Sequence, residues 1–169
     1  MMMIVSLCSG DGRDLLPMLA EVGQETASAI LVEQDATLAQ HARMAAFKLG
    51  LDHVTVLTRD AGKTEHLTFA LPVDLLLLCG IFGNISEQDI ALTVAASPAM
   101  LRPGGTMIWT RGSTEPDLRP TIRQRIANAG LCETVFDSEP EGFGVGMANK
   151  PPHPSRDPPL PPRLFTFLR

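Results

Sequence analysis

Short, unbroken apolar runs alternate with segments whose apolar residues recur every three or four positions, and this alternation holds almost to the end of the chain. "MIVSLC" (residues 3–8) is apolar nearly throughout and stops at glycines, which predicts a buried strand. "DLLPMLAEVG" reads as a helix, with Asp14 placed to cap it and Pro17 acceptable because it falls in the first turn. "SAILVE" (28–33) predicts a second strand. Asp35 then caps "ATLAQHARMAAFKLG", whose Leu38, Ala42, Ala45 and Leu49 share one helix face and whose Gly50 suits the C-terminal end. "HVTVLT" (53–58) predicts a third strand, and residues 59–72 read as a loop or broken helix. "VDLLLLC" (73–79) predicts a strand buried on both faces. "SEQD" (86–89) opens the next helix with a capping-box-like pattern, and Pro98 is expected to bend or restart it. "RPGG" turns the chain into "TMIWTR" (106–111), and "PDLRPTIRQRIANAG" gives a helix with Ile122 and Ile126 one turn apart, stopping at Gly130. "LCETVFD" and "FGVGMAN", joined by "SEPEG", predict a closing hairpin.

Five strand-then-helix repeats followed by a hairpin predict a three-layer α/β fold of Rossmann-like type. Its sheet is mainly parallel and twisted, with a C-terminal antiparallel hairpin. Ligands of such sheets bind beyond the carboxyl ends of the strands, at the switch point beside the first strand. A core over residues 1–149 is expected, followed by a proline-rich arm over 150–169. Seven of the 13 residues 151–163 are proline, an extended polyproline-like composition. "RLFTFLR" after it alternates apolar positions, so it adds an edge strand, packs over an opening, or hangs as a loose terminus.

Composition narrows the classes. The 169 residues suffice for one core, and 44% hydrophobic against 20% charged residues is an ordinary globular balance. A net charge of -5, with basic residues never in a run of three, gives no footprint for nucleic acid. Cys8, Cys79 and Cys132 form no CxxC pair, and His41, His53, His66 and His153 do not fall at ligand spacings; no metal site and a reducing cytoplasm are expected. "MMMIVSLC" lacks the basic flank and length of a signal peptide, and no stretch approaches the ~20 apolar residues of a membrane span.

The loop "SLCSGDGRD" (residues 6–14) carries the candidate chemistry. It is not the GxxxxGK[ST] phosphate loop, and Leu15 stands where a dinucleotide fingerprint has its third glycine. Asp11 and Asp14, offset only by Arg13, would repel a pyrophosphate. At ~4 Å such repulsion costs several kcal/mol in a partly screened pocket. A cation reverses the sign, and S-adenosylmethionine carries both a sulfonium and an ammonium.

Over roughly residues 3–149 the chain resembles the class I S-adenosylmethionine-dependent methyltransferases, including bacterial members with "LCSGDGRD"-, "LCGIFGNIS"- and "GGTMIWTRG"-like segments. The first loop occupies that family's first motif: Gly10 and Gly12 match, Ser6 replaces the usual acid, and Cys8 replaces the first glycine. The resemblance implies cofactor contacts from Cys8, Ser9, Gly10, Asp11 and Gly12. It makes Glu33 the acid that holds the ribose hydroxyls and lays Gln34 along the adenine. In "RDAG" it makes Asp60 the acceptor of the adenine amino group, with the Ala61 N–H on the ring. In "CGIFGN" it gives Cys79 and Gly80 backbone contacts to the cofactor and turns Phe82 and Asn84 toward substrate. Read without the resemblance, Glu33 is a solvated strand end, Asp60 and Asn84 are turn formers, and Cys8 and Cys79 are small packed residues.

The function implied is methyl transfer by in-line displacement to a small-molecule acceptor, with no residue pair that fixes a general base. The alternatives are a module that binds the cofactor without turnover, or a nucleotide-dependent oxidoreductase with Glu33 on the ribose. Family members usually carry helices ahead of the first strand, whereas here the strand begins within three residues of Met1. A cap that is missing, or supplied by a partner or a second copy in a homodimer, is therefore expected.

Overall fold

The computed structural model describes residues 1–23, 25–153 and 157–168, so Pro154, Ser155 and Arg156 of the proline-rich arm and the final Arg169 lie outside the described residues. Seven strands form one sheet: β1 (Met2–Leu7), β2 (Ala27–Glu33), β3 (Val54–Thr58), β4 (Val73–Leu78), β5 (Leu101–Gly112), β6 (Cys132–Ser138) and β7 (Phe143–Asn149). Their order is β3-β2-β1-β4-β5-β7-β6. The first five are parallel, and β7 runs antiparallel between β5 and β6. The predicted hairpin is thus present, inserted into the sheet so that β5 gains a partner over Thr106 to Gly112.

Helices α1 (Leu16–Val22) and α2 (Ala36–Lys48) cover one face, and α3 (Glu87–Met100) and α4 (Arg119–Asn128) the other. Asp35 caps α2 through the N–H groups of Thr37 and Leu38, and Ser86 caps α3 through that of Asp89, as their positions predicted. Asp14 does not cap α1. The Leu15 and Leu16 N–H groups already turn back to the Gly12 carbonyl, and Pro17 has no N–H to offer. The buried face of α2 is Ala39, Ala42 and Ala46, rotated from the predicted stripe, because small side chains let the helix lie close on the sheet while Leu38 and Leu49 stay largely exposed. Pro98 falls in the last turn of α3, which runs to Met100 without restarting. "RPGG" is not a turn before β5 but an excursion within it: β4 pairs Val73 with Leu101, then Leu75 with Thr106.

The link from β3 to β4 carries only a 3-10 turn, Thr64–His66, where the other parallel crossovers carry helices of 7 to 14 residues. The end of the chain occupies the space. Residues 160–168 form a strap: Leu164 and Phe165 are buried in the α3/α4-side core with Ala61, Leu67 and Ile85. Bridges join Lys63 to Arg163 and Ile85 to Phe167. The Gly62 carbonyl accepts from Leu164 N–H at 2.7 Å, Thr64 donates its hydroxyl to the Pro161 carbonyl, and Thr93 donates to the Leu164 carbonyl at 3.0 Å. Gly62 must lack a side chain, because a Cβ there would collide with the Phe165 carbonyl. Lys150 anchors the chain ahead of the strap through Asp157. Its buried ammonium donates to the Pro98 and Leu101 carbonyls at 2.7 and 2.9 Å and pairs with Asp157 at 2.7 Å, satisfying the orphan carbonyls that end α3.

Candidate active site

The sheet brings its candidate residues to one edge, the carboxyl ends of β1 to β5. The chain leaves β1 with Cys8 at φ 55°, then Gly10 at 57° and Gly12 at 75°, a left-handed curl that returns the backbone toward α1. Cys8 therefore stands in a conformation that costs an L-residue about 1–2 kcal/mol and that glycine adopts freely. At Gly12 a Cβ would fall within 2.9 Å of both Leu16 and Leu31, so glycine is required there by space as well as by φ.

Glu33, at the end of β2, is 9% exposed and ties the loop to the sheet. One carboxylate oxygen accepts the Gly10 N–H at 2.8 Å and the other accepts the Asp35 N–H at 2.8 Å. Each oxygen keeps a second lone pair, so the group can still take two hydroxyl donors. Ser9 presents a buried hydroxyl with no partner among the described residues, a polar atom that a ligand in the loop would satisfy.

Asp60 follows β3. It accepts the Gly62 N–H at 2.8 Å and pairs with Arg163 of the strap at 3.1 Å, leaving acceptor capacity on both oxygens. A half-open cavity of about 530 Å³ lies beside it, lined by Gln34, Asp60, Arg163, Phe165, Thr166 and Phe167. Phe165 and Phe167 meet edge to face with centroids 5.7 Å apart. The strap thus supplies most of the wall of the cavity that holds the predicted Gln34 and Asp60. Packing over an opening was one of the expectations for this apolar alternation, and Phe165 and Phe167 do line the cavity, but Arg163 and Thr166 were missed; a lone arginine after a proline run carries no signal of its distant partner.

Negative charge dominates the edge. Burial, then the charges of Glu33 and Asp60, push the Cys8 thiol up to about 12. Burial, then Asp14, push the Cys79 thiol up to about 11, so neither is a thiolate nucleophile near neutral pH. Asp11 is not a free carboxylate: a bidentate pairing with Arg13, at 2.9 and 2.6 Å, holds it down to about 2. Four carboxylates, Asp11, Asp14, Glu33 and Asp60, gather at the β1–β3 end, where Arg13 pairs with Asp11 and Arg163 with Asp60.

The segment after β4 departs from expectation. Gly80 spends its N–H on the Thr110 hydroxyl at 2.9 Å and its carbonyl on the Asn84 side chain at 2.8 Å, so both backbone groups hold the loop in place. Phe82, expected toward substrate, is 1% exposed and packs on Trp109 with centroids 6.1 Å apart; its ring gains more from the α3-side core than from the open edge. Asn84 is exposed, but it bridges the loop and takes the Leu168 N–H on its carbonyl at 2.8 Å. Ala61 is buried under the strap with its side chain in the core.

No protein-family model matches the sequence, and no curated protein does. Solved structures do. An O-methyltransferase family protein from Burkholderia thailandensis superposes with a TM-score of 0.73 at 13% identity, over 89% of this chain and 51% of the other. A SAM-dependent methyltransferase from Aquifex aeolicus gives 0.64 at 19% identity, over 88% and 81%. Magnesium protoporphyrin IX methyltransferase from Synechocystis, solved with bound SAM, gives 0.69 at 11% identity, over 88% and 70%. The chain spans about half the length of the Burkholderia protein. Strand order, the single reversed strand and these superpositions together establish that the chain has the class I S-adenosylmethionine-dependent methyltransferase fold.

Proposed function

We propose that the chain binds S-adenosylmethionine and transfers its methyl group to a small-molecule acceptor. The observation that carries this reading is the convergence of the Cys8–Gly12 loop, Glu33 and Asp60 at the ends of three successive strands, with Glu33 hydrogen-bonded into the loop. When bound, the cofactor supplies an activated methyl on a sulfonium, open to in-line displacement. Glu33 accepts the ribose hydroxyls on its remaining lone pairs. Asp60, steadied by Arg163, accepts the adenine amino group, and the cavity beside Gln34 and the strap aromatics receives the ring. Ser9 and the loop backbone face the amino-acid portion. The excess of carboxylate favours a cationic ligand and disfavours the pyrophosphate of a nicotinamide cofactor.

A binding module without turnover is the second reading, favoured by the commitment of Phe82 and Asn84 to the fold. Methyl-labelled S-adenosylmethionine, offered with a panel of hydroxyl- and amine-bearing small molecules, separates the two. Label moving into an acceptor supports transfer. Binding with no transfer to any acceptor supports the module, and no binding refutes both.

A further inference from the structure

Among the described residues three basic side chains are buried: Arg111, Arg119 and Lys150. Two are satisfied. Lys150 holds two carbonyls and Asp157, and Arg119 holds Asp117 together with the Glu139 and Pro140 carbonyls at 2.8 and 3.1 Å. Arg111 is different. It is 9% exposed, and its Nε is enclosed with no hydrogen-bond partner among the described residues. The carboxylate that feels its charge is Asp117. Arg119's hydrogen bonds, and more weakly the charges of Arg119 and Arg111, hold that carboxyl below its usual range. Both Asp117 oxygens are already taken by Arg119, at 2.9 and 2.8 Å. A buried guanidinium left this way is a cost to the fold unless something else pairs with it.

Its place tells what that partner is. Arg111 is the penultimate residue of β5, at the same sheet edge as the glycine loop. Its neighbour Thr110 holds the Gly80 N–H of the loop that follows β4. Gly83 of that loop is exposed, and a Cβ there would come within 3.3 Å of Arg111 Nη1, so glycine at this position puts no side chain over that end of the guanidinium. The cofactor reading places adenine and ribose toward β2 and β3, on the far side of β1, which leaves the β4–β5 end for the acceptor.

We propose that Arg111 binds an oxyanion, a carboxylate or phosphate, carried by the methyl acceptor. This rests on the methyltransferase reading. The guanidinium fork is built for planar or tetrahedral oxyanions and is less heavily hydrated than an ammonium. Arg111 orients the acceptor by its charged end; it does not take part in displacement at the methyl carbon.

The test is calorimetric titration of benzoate, phenyl phosphate and benzamide into the chain, free and saturated with S-adenosylhomocysteine. Wild type, Arg111→Met and Arg111→Lys are compared. The proposal expects at least one oxyanion to bind, benzamide to bind about tenfold more weakly or worse, and Arg111→Met to lose the oxyanion by a similar factor with partial recovery in Arg111→Lys. The two oxyanions distinguish carboxylate from phosphate. Arg111→Met is also expected to melt no lower than wild type, since it removes an unpaired buried charge, whereas a structural arginine would lose stability. Equal binding of benzamide, undiminished oxyanion binding in Arg111→Met, or no oxyanion binding to either form overturns the proposal. Failure of S-adenosylhomocysteine to bind wild type counts against the methyltransferase reading instead, and the titrations on the free chain still decide the role of Arg111.

Discussion

Replacing Phe165 by alanine tests whether the C-terminal strap is part of the folded unit. Phe165 is 2% exposed and lies in the core shared with Ala61, Leu67 and Leu164, while Phe167 beside it is 41% exposed. Deleting a buried phenylalanine ring costs about 3–5 kcal/mol, made up of lost transfer energy and the cavity left behind. The edge-to-face pair with Phe167 contributes about 0.5–1.5 kcal/mol beyond area. The strap borders an open cavity, so neighbours can relax into the gap, and the expected loss sits near the lower bound, about 3 kcal/mol. In a chain of this size that lowers the melting midpoint by roughly 6–12 °C. Trp109, the chain's one tryptophan and fully buried, reports unfolding by its fluorescence in urea. Phe167→Ala is the control, expected to cost about 1–2 kcal/mol, since it loses the same ring pair but its ring is already half in water. A Phe165→Ala variant within 1 kcal/mol of wild type would refute the view that the strap replaces a crossover helix.

Cys8→Gly is expected to hold or raise the melting midpoint, since it releases about 1 kcal/mol of left-handed strain, whereas the β-branched Cys8→Val lowers it; thermal melts check the ordering. Native protein at pH 8 should react with a thiol reagent at exposed Cys132 only, and unfolded protein at all three cysteines, read by mass spectrometry. The folded thiols of Cys8 and Cys79 titrate near 12 and 11 against 9.0 unfolded, so their contribution is complete below pH 9 and is lost as pH rises through 11 to 12. Urea midpoints measured upward from pH 9 should therefore fall. Lys150→Ala leaves the Pro98 and Leu101 carbonyls without their buried donor, while the half-exposed Asp157 turns to water, and is expected to cost about 1–3 kcal/mol in urea unfolding.

Much of the fold was legible because its signals are local. Short apolar or β-rich runs bounded by turn-forming residues marked all seven strands, and Asp35 and Ser86 cap where short polar side chains before apolar periodicity are expected to cap. Asp14 misled because capping also depends on which N–H groups are free, and Pro17 and the Gly12 carbonyl settle that first. The length of β5 was hidden since Pro103 and the two following glycines look like a turn when the pairing strands on either side are unknown. Glu33 and Asp60 were singled out by the resemblance at the ends of β2 and β3, but nothing in the sequence showed the bond from Glu33 to Gly10 or the salt bridge from Asp60 to Arg163, 103 residues away. Phe82 was misassigned for a related reason: a loop aromatic turns inward or outward according to the core beside it, which only Trp109 and α3 define. Arg111 gave no sign at all, because what marks it is a partner that no described residue supplies.

The central claim, a cofactor site built from the Cys8–Gly12 loop, Glu33 and the strap-lined cavity, is tested most directly by calorimetric titration with S-adenosylmethionine and S-adenosylhomocysteine. NAD serves as the control, and Glu33→Ala and Arg163→Ala as the comparisons. The account predicts binding of both methionine-derived ligands at about micromolar level, a loss of tenfold or more in Glu33→Ala, a smaller loss in Arg163→Ala, and no NAD binding. Binding of NAD in their place, or equal affinity in wild type and Glu33→Ala, would contradict it.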